Sequence, residues 1–191
     1  MPSFVRRTEL GLLLAICVVV VLSAALDQQH NYWHQPLDSA KFILRQTSLL
    51  GITALGAAIV IIAGNMDLSV ESVAALTAMV TGILFCSRGI GLGYTFSPEW
   101  LVLPVSLVIA LAVGALIGAL NGLFVVKLKM NAFIVTLASY IWVRGAVVAI
   151  SGGRSAQDLA PSLRVIGIQT VLYIPLIAWI AIACFALFTF I

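Results

Sequence analysis

Long apolar runs separated by short polar segments dominate the sequence. A transmembrane helix needs about 20 mostly apolar residues to cross the hydrocarbon core of a bilayer. Runs near that length recur along the whole chain, and they predict an all-α, polytopic transmembrane helix bundle of about six spans with no β-sheet. The predicted spans are Leu10–Leu26, Leu49–Ala63, Leu68–Phe85, Leu101–Val126, Ala132–Ile150 and Thr170–Ile191.

Polar connections between these runs are predicted to be loops. The first, Asp27–Lys41, contains His30 and His34, and a spacing of four residues would allow both to bind one metal ion on a helix. No third ligand lies nearby and Pro36 argues against a continuous helix, so solvated loop histidines are the favoured interpretation. The other two predicted loops are Ser87–Trp100 and Ser151–Gln169.

A polar hinge at Gly64–Asp67 separates the second apolar run from the third. It is either a tight turn at the membrane interface or a broken helix deeper in the membrane, where irregular backbone must be covered by protein or line a water-filled cavity. Asp67 followed by Ser69 resembles a helix start. If the helix begins at Asp67, then Asp67 and Glu71 share one face. They would form a cation or proton site or, as we favour, a cap and a solvated residue.

The composition excludes most classes of soluble protein. Hydrophobic residues make up 62% of the chain, charged residues only 9%, and the mean hydropathy is +1.17. A soluble domain carries about 25% charged residues. A soluble enzyme, a disordered tail, a coiled coil and a nucleic-acid-binding module are therefore excluded as first interpretations, which leaves an integral membrane protein.

Charge near the N-terminus predicts the topology. The net charge of +3 does not indicate a nucleic-acid partner, because basic residues in membrane proteins mainly report orientation. Arg6 and Arg7 lie just before the first run, as they would in a signal peptide, but the run is long and Leu26–Gln28 is a poor cleavage site. We expect a retained first span with its N-terminus in the cytoplasm.

Two further patterns lie within the predicted spans. Gly114, Gly118 and Gly122 recur every four residues, which predicts a face where another helix can approach closely. Glu71 and Arg144 are ionisable groups in apolar surroundings, and such groups are functional candidates by default. Arg144 must pair with an acid, face water or bind backbone carbonyl groups, and the sequence does not identify its partner.

The sequence contains no recognisable catalytic set. A nucleophile elbow, zinc-ligand spacing and a Walker phosphate-binding loop are all missing. Cys17, Cys86 and Cys184 have neither disulfide nor metal-site spacing. We therefore predict that the chain is not an enzyme, holds no metal or cofactor, and depends on a separate ATPase if ATP powers its function.

The hinge carries a family resemblance. Residues 64–73, Gly-Asn-Met-Asp-Leu-Ser-Val-Glu-Ser-Val, resemble the Gly-Gly-Ile-Asp-Leu-Ser-Val-Gly-Ser-Val signature of ribose-type ABC importer permeases. Further matching segments follow in the same order and spacing between about Lys41 and Gly153. These are Leu44–Ser48, Gly51–Gly56, Gly118–Gly122, Asn131–Leu137, Arg144-Gly145 and Gly152-Gly153.

The chain departs from the family pattern at three residues and in length. Asn65 and Glu71 replace glycines and Asn131 replaces a frequent proline, although asparagine tolerates left-handed backbone well. Family members are longer, and the resemblance implies that residues 1–191 form a single transmembrane permease domain truncated at its sixth span. We expect such a chain to lack the loop that docks on the ATPase, and so not to import sugar alone.

The resemblance implies the translocation-pathway subunit of a bacterial ABC importer for monosaccharides or similar polyols, in the inner membrane. It implies a second permease copy, a periplasmic sugar-binding protein, surrounding lipid, and a partner ATPase that binds ATP and Mg. Polar residues at helix breaks are the candidate pathway residues, with helix capping or interhelical hydrogen bonding as their alternative role. The candidates are Asn65, Asp67, Ser69, Asn121, Asn131 and Thr136.

The alternative is a small stand-alone membrane protein, such as a cation-coupled secondary carrier. In such a carrier Asp67, Glu71 and Arg144 would act as relay groups. Carriers often contain inverted repeats, and no clear repeat is visible in this sequence.

Overall fold

The computed structural model describes residues 2–27, 35–88 and 99–190. Most of these residues are helical. A 3-10 turn at Glu99–Leu101 precedes the fourth helix, and a π-helical segment at Leu123–Lys127 continues it. The helices are α1 Pro2–Leu26, α2 Pro36–Ile62, α3 Val70–Phe85, α4 Val102–Gly122, α5 Ala132–Ser151, α6 Pro161–Ile168 and α7 Leu176–Phe188.

The chain divides into two compact units, Met1–Gln46 and Thr47–Ile191. Within the first unit, α2 begins at Pro36, and Asp38 in its first turn forms a 3.2 Å ion pair with Lys41. Proline suits the first helical position because the amide hydrogen it lacks would have no partner there. The prediction of a loop across Asp27–Lys41 is therefore wrong from Pro36 onward.

Some predicted features lie outside the described residues. His30 and His34 are among them, as is most of the predicted Ser87–Trp100 loop. The parts of that loop within the described range are the end of a short strand and the 3-10 turn before α4.

Three helical segments in the described part of the chain are long and apolar enough to cross a membrane: Pro36–Ile62, Glu99–Lys127 and Ala132–Ser151. The prediction of about six spans is therefore not supported, although the all-α class is. The other three predicted spans correspond to shorter apolar helical segments of 10–17 residues, Leu10–Leu26, Val70–Phe85 and Leu176–Phe188, of which the first is part of α1. At about 1.5 Å per residue, the 16 residues of α3 extend roughly 24 Å, less than the roughly 30 Å hydrocarbon core.

Two short antiparallel ladders correct the prediction of no β-sheet. Strand β1, Cys86–Arg88, pairs with β2, Gln157–Leu159. Strand β3, Thr170–Val171, pairs with β4, Ile174–Pro175, in the segment predicted to begin the last span. The last helix therefore begins only at Leu176, because the preceding apolar residues form a hairpin. The predicted Ser151–Gln169 loop likewise contains β2 and α6.

The buried core lies among α3, α4 and α5 in the second unit. Leu76 of α3, Ile117 of α4 and Val143 and Val147 of α5 form its buried cluster. Val143 is completely buried. These three helices are thus packed together, and they carry the polar residues described below.

The predicted glycine stripe makes no close helix contact within the described chain. A Cβ atom added at Gly114, Gly118 or Gly122 would meet no atom within 4 Å. Close approaches occur instead at Gly82 of α3, where an added Cβ would lie 3.0 Å from the Cβ of Ala156, and at Gly51 of α2, where it would lie 3.1 Å from a ring carbon of Phe185. Close approach of another helix to the stripe stays a prediction.

Candidate functional site: a buried polar network at a helix break

The connection between α2 and α3 is not helical, as predicted for residues 64–67, and we call this connection the break. Gly64 adopts left-handed backbone with φ +78°. The backbone N–H of Gly64 donates to the carbonyl of Ile61 at 2.9 Å, and that of Asn65 to the carbonyl of Val60 at 3.1 Å. This pair of bonds is a common way to end a helix at glycine. The left-handed residue is thus Gly64 itself, and Asn65 has ordinary backbone.

Asp67 organises the approach to α3. Its Oδ1 accepts hydrogen bonds from the Ser69 backbone N–H at 2.7 Å and from the Ser69 hydroxyl at 2.6 Å. The helix begins at Val70, so Asp67 precedes it and does not share a helical face with Glu71. The predicted pair of carboxylates on one face is therefore wrong. The helix does start directly after the Asp67–Ser69 segment, as predicted, but the Ser69 side chain makes no capping hydrogen bond to the first turn.

Ser69 connects the break to two other helices through Asn121. The Asn121 Nδ2 donates to the Ser69 hydroxyl oxygen at 3.1 Å, and the Ser139 hydroxyl donates to the side-chain Oδ1 of Asn121 at 2.5 Å. All three residues are buried. Since each hydroxyl has a single proton, the bonds run in one direction, from Ser139 through Asn121 and Ser69 to the carboxylate of Asp67.

Two more buried hydroxyl groups lie beside this chain of bonds. The Ser72 hydroxyl donates to the Ser69 carbonyl at 2.8 Å. Thr136 Oγ1 lies 2.8 Å from the carbonyl oxygen of Ala132 and 3.4 Å from that of Met66, in the break. The network is defined here as Asp67, Ser69, Ser72, Asn121, Thr136 and Ser139.

The end of the break next to α3 packs into the bundle, because Ser69 is buried and Asp67 is half-buried, whereas Gly64, Asn65 and Met66 are exposed. Asn121 is six residues before the end of the π-helical segment at Lys127, since 127 − 121 = 6. Thr136, whose hydroxyl lies near the Met66 carbonyl, is four residues after the start of α5 at Ala132, since 136 − 132 = 4. At about 1.5 Å per residue, α4 with its π-helical continuation extends roughly 9 Å, and α5 roughly 6 Å, beyond the contact with the break. Irregular backbone at such a position needs protein or water around it, and the network supplies protein partners.

The structure brings together four of the six predicted pathway residues: Asp67, Ser69, Asn121 and Thr136. Asn65 and Asn131 are not part of the network. Asn65 is exposed, and its side-chain amide donates to the Ala63 carbonyl at 3.2 Å. Asn131 caps α5, because its side-chain oxygen accepts from the Phe133 N–H at 2.9 Å.

Sequence reasoning missed Ser72 and Ser139. A serine within an apolar helix carries little signal, because it commonly binds its own helix backbone. For Ser139 a signal was present, since it is four residues before Val143 and eight before Val147 in the buried stripe of α5. A polar residue on that stripe needs a partner within the core.

The structure also supplies the partner of Arg144 that the sequence did not identify. Arg144 Nη1 lies 3.8 Å from Oε1 of Glu71, in the first turn of α3. Unlike the network, this pair faces outward, with 52% of the Arg144 side chain and 74% of the Glu71 side chain exposed.

Known proteins similar to the chain are membrane permeases. The chain is 34% identical over 164 residues to the autoinducer 2 import system permease protein LsrC of Enterobacter sp. (strain 638), which covers 86% of this chain and 43% of that protein. It is 33% identical over 185 residues to the ribose import permease protein RbsC of Haemophilus influenzae, covering 95% and 51%. It is 36% identical over 125 residues to the xylose transport system permease protein XylH of Escherichia coli K12, covering 65% and 29%.

The chain spans about half the length of these relatives or less. No solved structure matches it. Residues 39–191, which include the break, the network and the Glu71–Arg144 pair, match the family described as branched-chain amino acid transport system / permease component. Because this match covers most of the chain, the chain belongs to that permease family.

Proposed function

We propose that the chain forms part of the translocation-pathway subunit of a bacterial ABC importer for monosaccharides or similar polyols. The family match and the similarity to ribose and xylose permeases support this proposal. The proposed assembly lies in the inner membrane and includes a second permease copy, a periplasmic sugar-binding protein and a separate ATPase that binds ATP and Mg.

The observation that carries this proposal is a helix break whose end at Ser69 is held against α4 and α5 by buried hydrogen bonds. Discontinuous helices supply binding groups and hinges in many transporters. Here the hydroxyl and amide groups of Ser69, Asn121 and Ser139 bind one another, so the network's proposed role is to hold the break in one geometry. The more exposed Asn65 and Asp67 are the proposed pathway groups at this break.

Coupling to ATP follows from the same arrangement. A partner changes the conformation of a protein only if it contacts the two states differently. A broken segment fixed to α4 and α5 would move with them as one piece, while the backbone around Gly64 absorbs the change in angle. Movement of the break would then open and close the translocation pathway when the ATPase binds and hydrolyses ATP.

Uptake measurements test the proposed function. Proteoliposomes would contain the permease expressed from the whole native gene that encodes this chain, with its cognate ATPase and binding protein. We expect uptake of radiolabelled ribose or xylose only when ATP is supplied on the side of the membrane where the ATPase is bound. An ATPase whose Walker lysine is replaced should support no uptake. Sugar uptake driven by a cation gradient without the ATPase would contradict the proposal.

A further inference from the structure

The Glu71–Arg144 pair is placed where lipid cannot solvate it. Arg144 is the thirteenth of the 20 residues of α5, since 144 − 132 + 1 = 13, so it lies well away from either end of a span-length helix. Both side chains are more than half exposed. A charged group in the middle of a bilayer costs more free energy than an exposed ion pair returns, so this face cannot be turned towards hydrocarbon.

The geometry of the pair indicates water around it. The 3.8 Å separation of Nη1 and Oε1 is too long for a direct hydrogen bond. A guanidinium has five N–H donors and a carboxylate has two acceptor oxygens. Both groups are exposed and have no close bond between them, so each has donors or acceptors that water can satisfy.

The pair also lies beside the helix break. Glu71 is in the first turn of α3, two residues after Ser69, and Asp67 is only partly buried. Irregular backbone at membrane depth is tolerated where it is packed by protein or lines a water-filled cavity. The network covers one side of the break with protein. The Glu71–Arg144 pair lies on the other, exposed side, which we call the wet face.

We infer that Glu71 and Arg144 line the water-filled route beside the break and that Glu71 is a specificity-determining residue, because its charge cancels that of Arg144. This inference rests on the proposed function. A narrow, low-dielectric route lined by an uncompensated guanidinium would concentrate anions. With Glu71 present, the local charge is balanced and an uncharged polyol is not outcompeted by anionic sugars.

Thiol labelling tests the wet face without any transport measurement. The permease would be expressed in native membranes with its other cysteines, including Cys17, Cys86 and Cys184, replaced by alanine. Ala74→Cys adds a thiol one turn after Glu71 on an exposed position of α3 and leaves the ion pair intact. Ala138→Cys is the matched control, an exposed position of α5 about 120° around the helix from Arg144.

Only a thiol in water ionises and reacts quickly with a membrane-impermeant reagent. We expect Ala74→Cys to be labelled and Ala138→Cys to remain unlabelled under the same conditions. An unlabelled Ala74→Cys, or equal labelling at both positions, would overturn the wet face whatever the transport activity.

Charge selectivity tests the role of Glu71. We expect Glu71→Gln to raise the uptake of a sugar phosphate relative to the free sugar by about tenfold, because Arg144 is then uncompensated. The double variant Glu71→Gln/Arg144→Gln should restore the parent ratio, and Glu71→Ala, which also leaves Arg144 uncompensated, takes the place of Glu71→Gln if that variant folds poorly. An unchanged ratio in both variants would overturn the specificity role. Labelled Ala74→Cys without ATP-dependent sugar uptake in the parent would instead contradict the proposed function alone.

Discussion

Replacing Asn121 with leucine is expected to lower the free energy of unfolding of the bundle by about 2 kcal/mol. The change removes the donor to Ser69 and the acceptor from Ser139, two bonds that link three elements of the fold. Interhelical polar contacts in membranes average about 0.6 kcal/mol, and a buried hydroxyl left without its partner costs about 1–3 kcal/mol. A serine that has lost its partner can rotate and bond to its own helix backbone. We therefore expect a loss of unfolding free energy in the lower part of the combined range.

The loss would be measured by unfolding the purified permease in lipid–detergent micelles with increasing sodium dodecyl sulfate. Asn65→Leu is the matched control, because Asn65 is exposed and its side chain binds only a carbonyl two residues away. We expect this control to change the unfolding free energy by less than about 0.5 kcal/mol. Equal losses in the two variants would show that the buried network has no special role.

The second large effect is expected from Asp67→Ala, which should loosen the start of α3. Asp67 accepts both the backbone and the hydroxyl hydrogen of Ser69, and hydrogen bonds to a charged group contribute about 1.5–3 kcal/mol. Because Asp67 is only partly buried, about 2 kcal/mol is expected, which corresponds to roughly 30-fold faster local opening. Hydrogen exchange of a peptide spanning residues 66–75, followed by mass spectrometry, would measure it.

Asp67→Asn is the matched comparison for this experiment. The amide keeps an oxygen that can accept from Ser69, so exchange in this variant should lie between that of the parent and Asp67→Ala. Exchange at the parent rate in Asp67→Ala would contradict the organising role of this carboxylate. An identical increase in both variants would show that the charge, rather than the acceptor, is what holds the segment.

The long apolar runs made most of the helices predictable. The run Ala132–Ile150 became α5 with one residue of difference, because a long run bounded by polar residues leaves few alternatives. The start of α2 was missed because Pro36 was interpreted as a helix breaker, whereas proline also begins helices. The hairpin at residues 170–175 was missed because its residues are as apolar as those of a span.

The site was predictable where it is local and not where it depends on tertiary register. The hinge sequence indicated Asp67 and Ser69, since both act within a few residues of the break. The partners of Asn121 lie 18 and 52 positions away, and no local pattern encodes such contacts. For the same reason, because the two residues are far apart along the chain, the sequence did not predict the pairing of Glu71 with Arg144. Close packing at the glycine stripe on α4 stays a prediction, because regular spacing does not identify the neighbour, and the close approaches within the described chain are at Gly51 and Gly82.

The most direct test of the account is a double-mutant cycle on the two serines that Asn121 connects. Ser69 in the break and Ser139 on α5 should be energetically coupled, because Asn121 bonds to both. Unfolding free energies would be measured for Ser69→Ala, Ser139→Ala and the double variant. We expect the double variant to lose less than the sum of the single losses, with an interaction energy of about 1 kcal/mol. Losses that add to within about 0.3 kcal/mol would show that the two serines are independent and would contradict the account.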